Sequence, residues 1–318
     1  MKDLYISTSS FANINKDSLD LLNRNNITFD INQSGKKIVP SDASYEYKNC
    51  KYLIAGTEDL SEVIINNPNL KFICRLGLGI ENVPISLLNQ KKIKLSFTPA
   101  TVSKTVAEMT LGLMLNLLRR ISFFDRDMKK DIWKKKMGKS LDEAVIGIVG
   151  YGRIGQEVKK LIEKLSVKKI LLHDTSEAIL KLKDKDKALN FCGLKELLIG
   201  SDIVTLHLPL TKDTDGLIGK NELSMMKDDA ILINCSRGGL INENDLYNHL
   251  SNHKTFSAAL DTFETEPYDG ILKSLNNIIL TPHVSSSTVH CRNMMEMSAV
   301  NETINFHLGK PLKNEIIL

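Results

Sequence analysis

A chain of 318 residues with 42% hydrophobic and 25% charged side chains has the balance of a globular protein with two domains, which excludes a disordered chain. The net charge of +4 is small for this length, and the lysines of residues 181–187 alternate with acids as on a solvated face, so we expect no nucleic-acid partner. The first residues begin a strand instead of a signal segment, and no run reaches the length of a membrane span. We therefore expect a cytoplasmic protein with no membrane partner.

The five cysteines indicate reduced thiols, because they are odd in number, form no CxxC pair and sit mostly in apolar runs. We expect neither disulfides nor a metal site from them. They are Cys50, Cys74, Cys192, Cys235 and Cys291.

Apolar runs of strand length alternate with amphipathic stretches along the first third of the chain, which is typical of a parallel sheet covered by helices. The predicted strands are residues 4–7, 27–31, 52–55, 72–74 and 94–97. Ser103 is a candidate N-cap for a long helix that we expect to cross into a second domain. Its apolar positions are Val106, Met109, Leu113, Leu117 and Leu118.

The same alternation predicts seven strands in the second domain, at residues 145–149, 170–172, 188–191, 203–206, 230–234, 258–261 and 278–280. After them, helical spacing returns. It is carried by Met294, Met297, Val300, Ile304 and Phe306, and an apolar stretch follows at 316–318. We expect this tail to fold back on the first domain, so that the chain crosses between domains twice.

The most informative stretch is 144–155, where a buried-strand pattern runs directly into a glycine-rich turn that opens a helix. Glycine permits the tight turn, the close approach of a pyrophosphate and the close packing of helix on strand, and the helix N-terminus offers free amides. Asp174 follows Gly155 by 19 residues, where a carboxylate can bind a ribose diol and repel a 2′-phosphate. The order of strand, turn, helix and acid predicts a dinucleotide site that prefers NAD to NADP.

Three polar clusters, at 235–239, 261–267 and 281–283, follow predicted strands, and open α/β sheets bind ligands at these carboxyl ends. His283 can exchange a proton with a hydroxyl group, Glu266 can orient its imidazole, and Arg237 can grip a carboxylate. Taken singly they fit a turn residue, a surface acid and a helix-start arginine. Together they indicate catalysis, and His207 ends a strand where it would line the cofactor groove.

Motifs along nearly the whole chain resemble the D-2-hydroxyacid dehydrogenase family, and within it the phosphoglycerate dehydrogenase branch. They lie at 75–83, 98–99, 106–108, 150–155, 207–214, 234–239, 260–267 and 281–283. The resemblance implies an α/β fold of two Rossmann-like doubly wound parallel-sheet domains: a substrate domain of residues 1–100 with 287–318 and an NAD-binding domain of residues 101–286. It also implies hydride transfer between NAD and C2 of a small 2-hydroxy or 2-oxo acid, no metal, and a homodimer.

The resemblance also assigns roles to single residues. Arg237, Glu266 and His283 are the implied catalytic residues. The implied or candidate cofactor contacts are Thr98, Gly150, Gly152, Arg153, Ile154, Gly155, Asp174, His207, Pro209, Thr214, Cys235, Ser236, Asp261 (to the nicotinamide amide) and Ser286. The backbone amides of Leu78 and Gly79 are the implied contacts of the substrate carboxylate.

The resemblance leaves the substrate open. Arg75 and the lysines at 134–136, which follow Trp133, favour a phosphorylated acid, 3-phosphoglycerate or 3-phosphohydroxypyruvate. If Arg75 instead forms an interdomain salt bridge and the lysines are solvated, hydroxypyruvate or glyoxylate is the expected substrate. Leu78 and Glu81 depart from the threonine and aspartate that are usual in the branch, but backbone amides do not depend on those side chains.

Other classes are less well supported. A non-enzymatic, NAD-sensing corepressor would share the fold, but long disordered termini are missing from the sequence. A formate dehydrogenase would carry a glutamine in place of Glu266. Only a helix and a short tail follow His283, so we expect no regulatory domain and no feedback control by serine through one.

Overall fold

The computed structural model describes residues 2–36, 38, 45–99, 102–186 and 188–317. The chain divides into two compact units, one of Met1–Val102 with Ser287–Leu318 and one of Ser103–Ser286. None of the helices in the described ranges combines the length and the apolar character that a membrane crossing requires.

The first unit is built on a sheet in which five strands are parallel. The strands are β1 (Leu4–Ile6), β2 (Phe29–Ile31), β3 (Tyr52–Ala55), β4 (Phe72–Arg75), β5 (Lys94–Phe97) and β12 (Glu315–Ile316), and their order is β12-β5-β4-β3-β1-β2. Only the pairing of β12 with β5 is antiparallel among the described strands of this sheet. Its helices are α1 (Asp17–Arg24), α2 (Tyr45–Lys48), α3 (Ser61–Asn66), α4 (Ile85–Lys91) and α12 (Val289–His307). Residues of β1, β3 and β4 other than Arg75 are almost fully buried, as expected for parallel strands covered on both faces.

Helix α12 buries only part of the apolar stripe predicted for it, including Val300 and Ile304. Its apolar core side is made of Cys291, Met295, Ala299, Val300 and Ile304, whereas Met294 is 45% exposed. The prediction for Met294 is wrong because a period of 3.6 residues places Met295, and not its neighbour, above Cys291 and Ala299.

The second unit contains a parallel sheet in the order β11-β10-β9-β8-β6-β7. Its strands are β6 (Val145–Val149), β7 (Lys169–His173), β8 (Ile203–Leu206), β9 (Ile231–Asn234), β10 (Ser257–Leu260) and β11 (Ile278–Leu280). Its helices are α5 (Val102–Arg119, which begins at the unit boundary), α6 (Ile121–Met128), α7 (Arg153–Ile162), α8 (Glu177–Lys185), α9 (Leu194–Gly200), α10 (Lys220–Met225) and α11 (Glu243–Asn252). Because β6 lies between β7 and β8, the strand order reverses beside β6. Doubly wound sheets bind ligands at such a point.

Two predictions for this unit are wrong. The run at 188–191 forms no strand. It makes only an isolated bridge between Phe191 and Leu172, because the bond from Phe191 N to Leu189 O turns the backbone. The sheet therefore has six strands, not seven, among the described residues. Helix α5 begins at Val102, so Ser103 lies inside its first turn and is not its N-cap.

The alternating-charge stretch at 181–187 lies only partly within the described residues. Lys181 is exposed on α8, as a solvated face requires, and Lys187 lies outside the described residues.

Candidate functional site

The glycine turn between β6 and α7 is held by contacts that leave no room for side chains at two positions. Gly150 has φ +93°, and a Cβ there would lie 2.5 Å from the carbonyl oxygen of His207. A Cβ on Gly155 would lie 2.1 Å from the carbonyl oxygen of Gly150. The packing of strand, turn and helix therefore requires both glycines.

Gly152 is different, because a Cβ there would meet no protein atom within 4 Å. It precedes the first residue of α7, where Arg153 and Ile154 belong to the first turn, whose amides have no acceptor within the helix. A helix N-terminus with an open glycine in front of it fits the pyrophosphate of a dinucleotide, which the backbone can approach closely.

Asp174 follows β7 and is fixed beside this turn. Its Oδ2 accepts a hydrogen bond from Tyr151 N at 2.7 Å, and its Oδ1 accepts one from Ser176 N at 2.8 Å. These bonds place the carboxylate next to the glycine turn, as binding of a ribose diol requires.

His207 follows β8 and is nearly fully buried against the same turn. Its Nε2 lies 3.0 Å from Thr205 Oγ1, and its Nδ1 is buried without a protein partner. Burial lowers the pKa of His207 to about 3, so the imidazole is neutral at physiological pH. In the loop that follows, Thr214 Oγ1 donates to Pro209 O at 2.7 Å.

Arg237 follows β9 in a loop that Asn234 organises. Asn234 Oδ1 accepts from Ser236 N at 3.0 Å and from Ser236 Oγ at 2.8 Å, and Asn234 Nδ2 donates to Arg237 O at 2.7 Å. Arg237 Nη1 donates to Ser236 O at 2.6 Å. A Cβ on Gly238 would lie 1.9 Å from Phe263 O, so the loops after β9 and β10 are in direct contact.

His283 and Glu266 form a hydrogen-bonded pair. Nδ1 of His283 lies 2.8 Å from Oε2 and 3.1 Å from Oε1 of Glu266, and Oε1 also accepts from Phe263 N at 3.1 Å. Because a carboxylate only accepts, Nδ1 carries the proton of a neutral imidazole and Nε2 is left as its basic nitrogen. The two side chains are 43% and 37% exposed, so the pair is accessible to a small molecule.

The fully buried carboxylate of Asp261 holds the loop that carries His283. Its Oδ1 accepts from Thr281 Oγ1 at 2.6 Å and from Val284 N at 2.9 Å. Its Oδ2 accepts from Ser285 N at 2.8 Å and from Ser285 Oγ. The sequence predicted a nicotinamide contact for Asp261 and missed this anchoring, which involves residues about 20 positions away.

The remaining predicted contacts in this unit lie at the same end of the sheet. Cys235 and Ser236 follow β9 and are buried, and burial raises the pKa of the Cys235 thiol to about 11. Ser286 is half-buried and follows Ser285. Within the described ranges, no cluster of histidine, cysteine, aspartate and glutamate side chains could hold a metal ion.

In the first unit, the predicted substrate loop begins at the end of β4. Gly77 has φ +134°, and a Cβ on it would lie 2.1 Å from Arg75 Nη1, which donates to Leu76 O. Thr98 is buried and bound to the loop, because its Oγ1 accepts from Gly77 N at 2.7 Å and its N donates to Gly77 O at 3.1 Å. The next residues, Leu78 and Gly79, are half-buried and buried.

Glu58 belongs to the same edge and was missed in the sequence. It is 3% exposed, and its Oε1 accepts from Gly56 N at 3.2 Å and from Ser7 Oγ. Asn82 Nδ2, in the glycine loop, donates to Glu58 O at 2.6 Å. A polar run directly after the apolar strand β3 was the available signal, because carboxyl ends of parallel strands meet at one edge.

Comparisons with known proteins agree with this geometry. The family model for the D-isomer specific 2-hydroxyacid dehydrogenase, NAD binding domain, matches residues 111–285. A D-3-phosphoglycerate dehydrogenase of Archaeoglobus fulgidus is 32% identical over 311 residues, which are 96% of this chain and 58% of that relative. The chain thus spans little more than half the length of that relative.

Two further relatives are of similar length. A hydroxypyruvate reductase of Thermotoga maritima is 34% identical over 254 residues, which are 78% of this chain and 81% of the relative. A crystal structure of a protein from Thermus thermophilus superposes with a TM-score of 0.86 at 27% identity and covers both chains completely. The chain belongs to the D-isomer specific 2-hydroxyacid dehydrogenase family and carries its NAD-binding domain.

Proposed function

We propose that this protein is an NAD-dependent dehydrogenase that interconverts a D-2-hydroxy acid and its 2-oxo acid, with Arg237, Glu266 and His283 as its catalytic residues. The observation that carries the proposal is the bond from His283 Nδ1 to Glu266 at 2.8 Å, formed beyond the carboxyl ends of β10 and β11. The loop of Arg237 follows the adjacent strand β9.

Each of the three side chains has one task. NAD supplies the nicotinamide that accepts or returns the hydride of C2. Nε2 of His283 takes the hydroxyl proton when the hydroxy acid is oxidised and returns it when the oxo acid is reduced. Glu266 fixes the tautomer of the imidazole and stabilises its charged form, and Arg237 binds the substrate carboxylate through its guanidinium group.

The cofactor contacts are proposed from the same end of the sheet. The turn at Gly150, Gly152 and Gly155 receives the pyrophosphate, and Asp174 accepts from the ribose hydroxyls. A carboxylate at that point repels a 2′-phosphate, and the three residues after it include no arginine that could accommodate one. We therefore propose NAD and not NADP as the cofactor.

The proposed roles of the other predicted contacts follow the resemblance. The second unit binds the cofactor, and the first unit binds the substrate carboxylate through the amides of Leu78 and Gly79. We also propose a homodimer. The irregular segment after α6 exposes Trp133 by 78% and Met137 by 95%, and these two residue types are enriched in subunit interfaces relative to the rest of the surface.

The substrate that we propose is 3-phosphoglycerate or 3-phosphohydroxypyruvate. Arg75 supports it, because this cation ends β4 directly before the glycine loop. One observation favours hydroxypyruvate or glyoxylate as a second candidate. The Arg75 guanidinium donates to Leu76 O, so it is engaged by its own loop in the absence of a phosphate. The buried Glu58 follows the neighbouring strand β3.

The deciding experiment is a steady-state screen of phosphorylated and unphosphorylated 2-oxo acids that follows NADH absorbance, with wild-type protein and Arg75→Ala. If Arg75 binds a phosphate, the variant raises KM for 3-phosphohydroxypyruvate by at least about tenfold and leaves KM for hydroxypyruvate unchanged. Equal losses for both substrates would assign Arg75 to the loop and move the proposal to the unphosphorylated acids. No activity with any 2-oxo acid, together with tight NADH binding, would favour the NAD-sensing protein.

A further inference from the structure

A cavity of about 490 Å³ lies in the second unit, away from the catalytic pair. Its lining comes from Arg120, from α6, from the segment that follows α6, from Lys254 and from the turn at 274–277. That turn leads into β11 at its amino end, whereas His283 follows the carboxyl end of the same strand. The cavity and the proposed active site therefore lie at opposite ends of β11.

The cavity is strongly cationic. Five basic side chains line it, Arg120, Arg126, Lys130, Lys136 and Lys254, together with a single acid, Asp127. Within the part of the chain that the structure describes, none of the five basic groups has a salt bridge. The surplus of positive charge in this one cavity equals the net charge of +4 of the whole chain. Such a field concentrates anions from solution.

The two arginines are held in position before any ligand binds. Their guanidinium groups lie over the ring of Phe123, at 5.3 Å for Arg120 and 5.4 Å for Arg126. Arg126 Nη2 also donates to Asn276 O at 2.6 Å. Guanidinium groups fixed in this way lose little side-chain entropy when they bind an oxyanion, and they can bind it through two parallel hydrogen bonds.

Arg120 also carries a buried donor that has no acceptor. Its backbone has φ +57° at the junction of α5 and α6, and its Nε is buried without a hydrogen-bond partner in the protein. A buried N–H group without a partner is costly and calls for an explanation. Because Nε is shielded from solvent, a bound anion can reach only the terminal nitrogens of this guanidinium group.

We propose that this cavity is a second ligand site, which binds a small polyanion with phosphate groups, either a polyphosphate or a phosphate ester. The two guanidinium groups bind phosphate oxygens directly, and the three lysines at the rim supply further charge. Within the second unit, this site is separate from the glycine turn that receives the pyrophosphate of NAD.

The test is a calorimetric titration of the full chain with tripolyphosphate in the presence of saturating NADH, which occupies the glycine turn. We expect saturable binding with one site per chain, weakened by added salt. Lys130→Gln combined with Lys254→Gln removes two exposed charges without disturbing packing and should weaken binding roughly tenfold for each charge lost. Arg126→Gln should weaken it further. The matched control is Lys195→Gln, which removes an exposed lysine of α9 outside the cavity and should leave the affinity unchanged.

Three results would overturn the proposal. The first is the absence of saturable binding. The second is equal affinity in the double lysine variant and in the control. The third is loss of binding in Arg75→Ala but not in the double variant, which would assign the anion to the proposed substrate site. If the double variant dissociates an oligomer in sedimentation and no anion binds, the cationic face is a subunit contact instead.

Discussion

Asp261 accepts a hydrogen bond from the main-chain amide of Val284, the residue directly after His283, at 2.9 Å. Three more donors, from Thr281 and Ser285, complete the shell of this fully buried carboxylate. His283 itself has φ +52°, a conformation that is unfavourable for a residue with a Cβ. The bonds that Asp261 accepts from residues on both sides of His283 therefore hold the backbone of His283 in this conformation. They thereby fix the position of its imidazole.

From this anchoring we expect Asp261→Asn to impair catalysis from a distance. An asparagine turns two hydrogens toward donors of the loop, so the position of His283 is lost and kcat falls by about 10²-fold. Thr281→Val removes one of the four bonds and should give a smaller loss. Steady-state kinetics with fluorescence titration of NADH measures both effects. A higher KM for NAD with an unchanged kcat would instead show that Asp261 acts through the nicotinamide.

The glycines of the turn should separate stability from cofactor binding. Gly155→Ala places a methyl group 2.1 Å from Gly150 O and should destabilise the fold by about 1–3 kcal/mol. Gly152→Ala meets no protein atom, so we expect an unchanged melting temperature and NADH binding weaker by at least about tenfold. Thermal melts and NADH titrations check this, and Gly193→Ala, which is equally open, is the control. Unaltered NADH affinity in Gly152→Ala would show that the pyrophosphate does not bind at this turn.

Variants of His283 and Glu266 should impair catalysis in two distinguishable ways. His283→Ala should keep NADH affinity and lose about 10²- to 10⁴-fold in kcat. Glu266→Gln removes the negative partner of the imidazolium, so the alkaline limb of oxo-acid reduction should move to lower pH. The measurement is a pH profile of kcat for both directions of the reaction. A Glu266→Gln profile that superposes on that of the wild type would contradict the pairing.

The buried His207 predicts how stability depends on pH. Its pKa in the folded chain is about 3, below the ordinary pKa of 6.5. Between these pH values the unfolded chain therefore binds a proton at this histidine and the folded chain does not. Above pH 6.5 this group does not reduce the free energy of unfolding. Below pH 6.5 it lowers the free energy of unfolding by about 1.4 kcal/mol per pH unit. Urea unfolding should therefore show a flatter acid limb for His207→Asn than for the wild type. His290→Asn, at an exposed position, is the control, and parallel limbs for all three proteins would refute the prediction.

Many strands of the two sheets could be predicted from the sequence, because hydrophobic periodicity and turn residues are local signals. Residues 52–55, 94–97, 145–149, 203–206 and 278–280 are strands with the predicted bounds. The run at 188–191 is also mostly apolar but makes only one isolated bridge, because pairing depends on the neighbouring strand as well as on the run itself. Periodicity placed Val300 and Ile304 correctly on the core side of α12, but it misplaced Met294, which is exposed while Met295 is buried.

The residues of the candidate site could be predicted from the sequence, but the contacts between them could not. The sequence placed His283, Glu266 and Arg237 after neighbouring strands, and each does follow the predicted strand. It could not show that Asp261 binds the His283 loop, or that Arg75 donates to Leu76 O, because these bonds depend on side-chain rotamers and loop closure. Glu58 could have been found from the polar run after β3, but its contacts with Ser7 and Gly56 could not.

The antiparallel pairing of β12 with β5 has a consequence for the order in which the chain folds during synthesis. The second unit is a continuous stretch and is complete when Ser286 has left the ribosome. The first unit is begun earlier but lacks α12 and the edge partner of β5 until residues 315–316 emerge. Although domains are usually completed in chain order, the second unit is finished before the first, and β5 presents an open sheet edge until residues 315–316 cover it.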